Sequence, residues 1–223
     1  MKWLLLTLAE YFIIGLCFAI SIYFPNPFIW ILSLLIIGTR QHALGVIGHW
    51  SVHNIPGKYS KFLQILCMDP LGVDIEKYKF FHFSHHKYLG NSVLDPEVWF
   101  FLKFRKSYER YSFKETILDL SGMHLYQAFY LFRPISSNKS KVILGLLTSG
   151  LYFFIGPVSL LWPISLILVL PALNRLRMRT EHDHLHFPGV TFKVENPSLW
   201  KRLVYLPHKT WKHYEHHEHP TYI

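Results

Sequence analysis

The chain has 223 residues, 51% of them hydrophobic, which is enough for one compact domain but too apolar for a small water-soluble enzyme; a bilayer is the expected solvent. The formal charge of +9 is gathered in a few segments beside apolar stretches, with no RRM, zinc-finger or helix-turn-helix signature, so it fits anionic lipid headgroups or an acidic redox protein rather than nucleic acid. The two cysteines, Cys17 and Cys67, fall in different segments and support neither a disulfide framework nor a Cys-rich zinc or iron–sulfur site.

Met1 and Lys2 precede an apolar run without a small-residue cleavage site, so the run reads as a retained first span rather than a signal peptide. Residues Trp3 to Phe24 and Phe28 to about Gly48 are two such stretches, separated by Pro25-Asn26-Pro27, and each approaches the roughly 20 residues a helix needs to cross hydrocarbon. Glu10, the one charge in the first stretch, is read as a bundle-facing or interfacial carboxylate. A polar and aromatic segment follows from Ser51 to Lys141, rich in lysine and arginine, and the positive-inside rule places it in the cytosol. Within it, Phe113 to Phe132 mixes apolar and polar residues as a helix lying along the membrane surface would.

Val142 to Leu173 is the next apolar region, interrupted at Gly156-Pro157 and Pro163 and flanked by basic residues at both ends, which favours an even number of crossings and a hairpin turning near Gly156. A re-entrant segment is the competing reading. The expected architecture is all-α: residues 1–223 as a single domain, an integral membrane bundle of about four transmembrane helices in two hairpins, with a His-rich metal-binding cap on the cytosolic side.

Histidine, at 15 residues, is the unusual component, and most of it is grouped. His49 and His53 end the second span four residues apart, on one helical face. His82, His85 and His86 form an HxxHH group whose adjacent members diverge by about 100° on a helix, which lets neighbours serve two different metals. His213, His216 and His217 repeat that spacing near the C-terminus. Between them runs Glu181-His182-Asp183-His184-Leu185-His186, where His182 is the expected ligand and His184 and His186 are read as solvated polar residues. His42 lies seven residues before His49, about 10 Å along a helix axis, and is read as a second-layer or channel residue.

His49, His53, His82, His85, His86, His182, His213, His216 and His217 together can serve two metals with four or five imidazoles each. Neutral imidazole suits iron, zinc, copper and nickel alike, but a paired site of this size points to oxygen chemistry rather than to zinc hydrolysis at a single ion. Asp95, Glu97, Glu181, Asp183, Glu215 and Glu218 are placed to hydrogen-bond the second ring nitrogens of such ligands, with surface solvation as the alternative.

The order HxxxH, HxxHH, a solitary histidine after the last span, then HxxHH resembles the membrane fatty acid desaturase/hydroxylase superfamily over nearly the whole chain. The flanks Arg40-Gln41-His42-Ala43-Leu44, Tyr88-Leu89-Gly90, Asp95-Pro96-Glu97 and Glu215-His216-His217-Glu218-His219-Pro220 resemble the branch of short bacterial desaturase-like proteins, sphingolipid desaturases and carotenoid ketolases. That resemblance implies a di-iron oxidoreductase that uses O2 to break an unactivated C–H bond, desaturating or hydroxylating a lipid or acyl chain. A carotenoid ketolase or hydroxylase is the alternative within the superfamily. Where acyl-CoA desaturases carry an asparagine four residues before the solitary histidine, this chain has Met178.

No cytochrome, flavin or ferredoxin unit is recognisable, so electrons are expected from a separate ferredoxin or cytochrome, and the lysines and arginines from Lys58 to Lys114, Lys103, Arg105 and Lys106 among them, offer a docking surface or a lipid contact. A bacterial inner membrane is the expected location. A membrane zinc hydrolase would need only one histidine group, and a metal transporter would set its ligands near the middle of the spans; both are kept as rivals from other classes.

Overall fold

The computed structural model describes residues 1–91, 93–97, 133–186 and 196–220, and for 178–180, 182–186 and 214 only the backbone. The surface helix expected over Phe113 to Phe132, the basic residues Lys103, Arg105 and Lys106, and the side chains of Met178, His182, Asp183, His184 and His186 lie outside what is described. The described residues are helical, with no strand among them.

Helices α1 (Lys2–Tyr23) and α2 (Pro27–Val52) form an antiparallel hairpin. Pro27 supplies the fixed φ of a first helical residue, and the Asn26 side chain caps α2 by accepting from the Phe28 amide at 2.8 Å. Apolar side chains such as Phe12, Phe28 and Ile31 point outward and are exposed, as a lipid-facing surface requires. Polar groups instead turn inward and pair: the Ser21 hydroxyl donates to Ser33 at 2.9 Å, and Arg40 meets Glu10 at 3.0 Å. Glu10 is therefore bundle-facing, held between Arg40 and, at 2.9 Å, His208.

Helix α3 (Ser60–Met68) packs back along the final turns of α2. Its close approach needs a glycine: a Cβ on Gly48 would collide with the Met68 side chain. Gly72, in the left-handed region at φ +73°, ends the short turn that follows, and Asp74 caps α4 (Ile75–Lys87) by accepting from the Lys77 amide at 3.0 Å. The chain thus reverses twice and returns α4 to the end of α2.

The later apolar stretch, residues 138–177, opens with α5 (Asn138–Ile155), whose start carries a reciprocal Ser137/Ser140 capping box. Gly156, at φ +60°, stops α5, and a five-residue 3-10 turn over Gly156–Leu160 follows, at the break expected from the sequence. Helices α6 (Leu161–Leu168) and α7 (Leu170–His186) then pack on α2, where Gln41 donates to the Trp162 carbonyl at 2.9 Å and accepts from Ser165 at 2.8 Å. Phe153 and Phe154 on α5 are more than four-fifths exposed. Among the described residues three segments, Lys2–Tyr23, Pro27–Val52 and residues 138–177, are long and apolar enough to cross a membrane, the last 40 residues in length.

The C-terminal segment carries two short helices, α8 (Leu199–Val204) and α9 (His213–Glu218). It is fastened to α2 at several points: Arg40 donates to the Leu203 carbonyl, His42 Nε2 lies 3.1 Å from the Tyr205 carbonyl, and the Trp50 indole donates to the His208 carbonyl at 2.9 Å. These contacts deliver α9 to the same end of the bundle as the end of α2 and the last turns of α4.

Candidate metal centre

Three helix ends meet there, each with histidines at helical spacing. The four-residue step puts His49 and His53 on the inner face of α2, α4 contributes His82, His85 and His86, and α9 contributes His213, His216 and His217. Their ligand nitrogens gather in two groups: His49, His53, His82 and His216 in one, and His85, His213 and His217 in the other, the atoms of each lying within 4.8 Å of one another. His86 stands between the groups, its Nε2 3.0 Å from that of His82 and its ring centroid 4.6 Å from that of His217. The side chain of His182 is outside the described residues.

The nitrogen spacing fits bound cations. His53 Nε2 lies 2.7 Å from His82 Nε2 and 3.1 Å from His216 Nε2, and His217 Nε2 lies 2.8 Å from His213 Nε2. Metal–imidazole bonds of about 2.0–2.1 Å set neighbouring ligand nitrogens roughly 3 Å apart. Each ring nitrogen has one in-plane site, either a lone pair or a proton, yet His53 Nε2 and His82 Nε2 each face two other nitrogens. Hydrogen bonding alone cannot satisfy both. His49 Nε2 is buried without a hydrogen-bond partner among the described residues. A cation at the centre of each group removes the conflict.

The electrostatics prepare these imidazoles as neutral donors. Burial pushes the His53 pKa down to about 4. Burial together with neighbouring histidines takes His86 down to about 3 and His216 to about 2, and holds His82 and His217 far below the usual imidazole range. His85 departs from this pattern: burial opposes its charging, but Glu97, Asp95 and Glu181 outweigh that and raise its pKa.

Outer partners fix ring orientation. The Tyr78 hydroxyl lies 3.1 Å from His49 Nδ1, and Asp95 Oδ1 lies 2.8 Å from His85 Nδ1. Asp95 is itself held by the Gly90 and Glu97 amides, each donating at 2.9 Å. Of the other acidic residues with described side chains, Glu97 and Glu181 approach ring nitrogens and Glu215 and Glu218 take the solvated alternative. Glu97 and Glu181 face Nε2 atoms, of His85 and His213 respectively, each at 3.6 Å, while Glu215 and Glu218 are exposed and Glu215 pairs with Lys212. Glu181 is fully buried, and that burial lifts its pKa to about 8.

Sequence reasoning missed Tyr78 and the Glu10–Arg40–His208 bridge. Tyr78 precedes His82 by four residues on one face, a usable signal; nothing in the sequence pairs Glu10 with His208. Next to Tyr78 and Glu97, which contact His49 and His85, lies a cavity of about 110 Å3, bordered also by His42, Phe81, Leu170, Asn174 and Arg177. His42 contributes to its wall, with Nδ1 3.0 Å from the Asn174 side-chain oxygen.

Comparison with known proteins agrees with this geometry. Residues 25–222 match the model of the family described as fatty acid desaturase. The chain is 22% identical over 201 residues to the sphingolipid delta(4)-desaturase DES1 of Drosophila melanogaster, covering 82% of this chain and 59% of that protein. It is 24% identical over 196 residues to the sphingolipid delta(4)-desaturase/C4-monooxygenase DES2 of Rattus norvegicus, with the same shares of each. The chain thus spans 59% of the length of these curated relatives. No solved structure matches it significantly. A family match over most of the chain, apolar helices of spanning length and converging histidine groups lead to one conclusion: this is an integral membrane protein belonging to the fatty acid desaturase family.

Proposed function

We propose that the protein is an O2-dependent oxidoreductase that desaturates or hydroxylates the alkyl chain of a lipid at a pair of iron ions. The observation that carries this reading is the gathering of imidazoles from α2, α4 and α9 into two adjacent groups, next to a largely apolar cavity whose wall includes Tyr78 and Glu97, the partners of His49 and His85. The irons, when bound, supply the oxygen-activating redox chemistry. His49, His53, His82 and His216 would hold one and His85, His213 and His217 the other, with His86 and His182 completing the set.

The rest of the work falls to the surrounding side chains. Tyr78 and Asp95 fix the tilt of His49 and His85, so the donors are in place before a metal arrives. Leu71, Val73 and Leu170 line the cavity with apolar surface, and each substrate methylene buried there contributes about 0.8 kcal/mol of binding. The relatives, a desaturase and a desaturase/monooxygenase of sphingolipids, put a sphingoid-type chain first among substrates and leave both alkene and alcohol as products. The metal end faces the cytosol by the positive-inside rule, a bacterial inner membrane is the expected location, and a ferredoxin or cytochrome supplies electrons.

The test is lipid mass spectrometry of cells expressing the wild-type chain or His82→Ala, together with iron analysis of both purified proteins. Products shifted by loss of two hydrogens or gain of one oxygen, present only with the wild type and accompanied by two irons per chain, support the reading. An unchanged lipid profile with one bound zinc would instead establish a hydrolase.

A further inference from the structure

We propose that Glu181 is itself a ligand of the second metal, so that the two halves of the centre differ in kind: imidazoles around one ion, imidazoles and a carboxylate around the other. This deepens the two-metal reading above and rests on it.

Glu181 sits on α7, which supplies no member of either histidine group among the described residues. Its side chain is fully buried, and neither carboxylate oxygen has a hydrogen-bond partner among the described residues. A buried carboxylate without donors is costly unless a cation compensates it. Arg177, one turn earlier, approaches Oε2 with its Nε only to 3.6 Å, which is ion-pair distance without a hydrogen bond. His213 Nε2 of the second group also lies 3.6 Å from Oε2.

The contrast with Asp95 separates a ligand from an outer partner. Asp95 addresses Nδ1 of His85 at 2.8 Å, on the far side of the ring, and its two oxygens are already engaged by the Gly90 and Glu97 amides. Glu181 addresses Nε2 of His213, the same nitrogen that stands 2.8 Å from His217 Nε2 and so looks into the group. Donors that share one ion through bonds of about 2.0–2.2 Å are separated by roughly 3–3.5 Å. Oε2 stands 3.6 Å from His213 Nε2, just beyond that range.

Among the described residues the second group draws on α4 and α9 alone, and Glu181 would add a donor to it from α7. A carboxylate oxygen adds a negative charge and a hard donor, which favours iron or manganese over softer alternatives and makes the two ions inequivalent.

Iron content and Mössbauer spectra of the purified full-length chain test this. The wild type is expected to hold two irons in two distinguishable environments, E181Q about one, with the environment assigned to His49, His53, His82 and His216 retained, and E181H two again. E181Q holding two irons with unchanged spectra overturns the proposal while leaving the two-metal reading intact. A wild type holding fewer than two irons overturns both. Should E181Q fail to fold, the infrared difference between metal-loaded and metal-free protein, made with isotope-labelled glutamate in an E97Q background, provides the second measurement. A labelled carboxylate band that moves on loading supports Glu181 as ligand, and a band that does not move rejects it.

Discussion

His49, His53 and His82 are presented by helices packed into the membrane hairpin and its return, whereas His213 and His217 ride on a six-residue helix that could not stand alone. The Trp50 and Tyr78 rings border His49 and His82, whereas carboxylates border the second group, Asp95 and Glu97 at His85 and Glu181 at His213. The peripheral helix is held in place by contacts far from the metal: Arg40 to Leu203, His42 to Tyr205, Trp50 to the His208 carbonyl and Glu10 to the His208 ring. The first group thus takes only His216 of its four imidazoles from the strap, whereas the second takes His213 and His217 from it and only His85 from α4. The same donor chemistry rests on two different kinds of support.

Removing a ligand from the well-supported half tests the comparison most severely. His82→Ala is expected to abolish turnover, a larger loss than the roughly 10–100-fold that outer partners are worth, while the second group keeps its metal; product assay with iron analysis reads both. Arg40→Ala strikes the strap instead. It leaves Glu10 buried beside His208 without its guanidinium, costs about 3–5 kcal/mol in stability, and should empty the second group before the first, as thermal unfolding and metal content would show. Retention of both metals in Arg40→Ala would mean that the strap does not support α9.

Asp95→Ala removes only the partner behind His85 and is expected to weaken metal at the second group by about 10–100-fold in a chelator competition assay, sparing the first. A weaker effect appears in the pH dependence of metal-free protein. His53, His82, His86, His216 and His217 have folded pKa values below the unfolded value of about 6.5, so the unfolded chain binds more protons as pH falls through that range and stability is lost. Glu181, raised to about 8, acts oppositely, losing stability as pH rises from about 4.5 toward 8. Five depressed histidines outweigh it in acid, so the melting temperature should peak near pH 7, fall steeply toward pH 5 and gently toward pH 8. The smallest effect is expected from Glu76→Ala on the outer face of α4, whose exposed pair with Lys79 contributes at most about 1 kcal/mol; its metal content and turnover should match wild type.

Much of the architecture was legible because it is local. The Pro25-Asn26-Pro27 turn, the break at Gly156 and the four-residue spacing of His49 and His53 are properties of adjacent residues, and periodicity reports them directly. The acidic residues were harder to assign. Asp95 takes the outer position expected of it, yet Glu97, two residues later, turns to the opposite nitrogen of the same ring, and no spacing rule distinguishes the two.

The sequence by itself determined an apolar helical chain with repeated histidine groups at its polar ends, since helix periodicity and the length of a membrane span depend only on neighbouring residues. Tertiary structure alone decided which ring nitrogens meet, that Glu10 on the first helix anchors His208 near the other end of the chain, and that Glu181 lies 3.6 Å from His213. Those relations depend on how separate helices cross and close on one another, and the packing that brings distant residues together has no counterpart in their order along the chain.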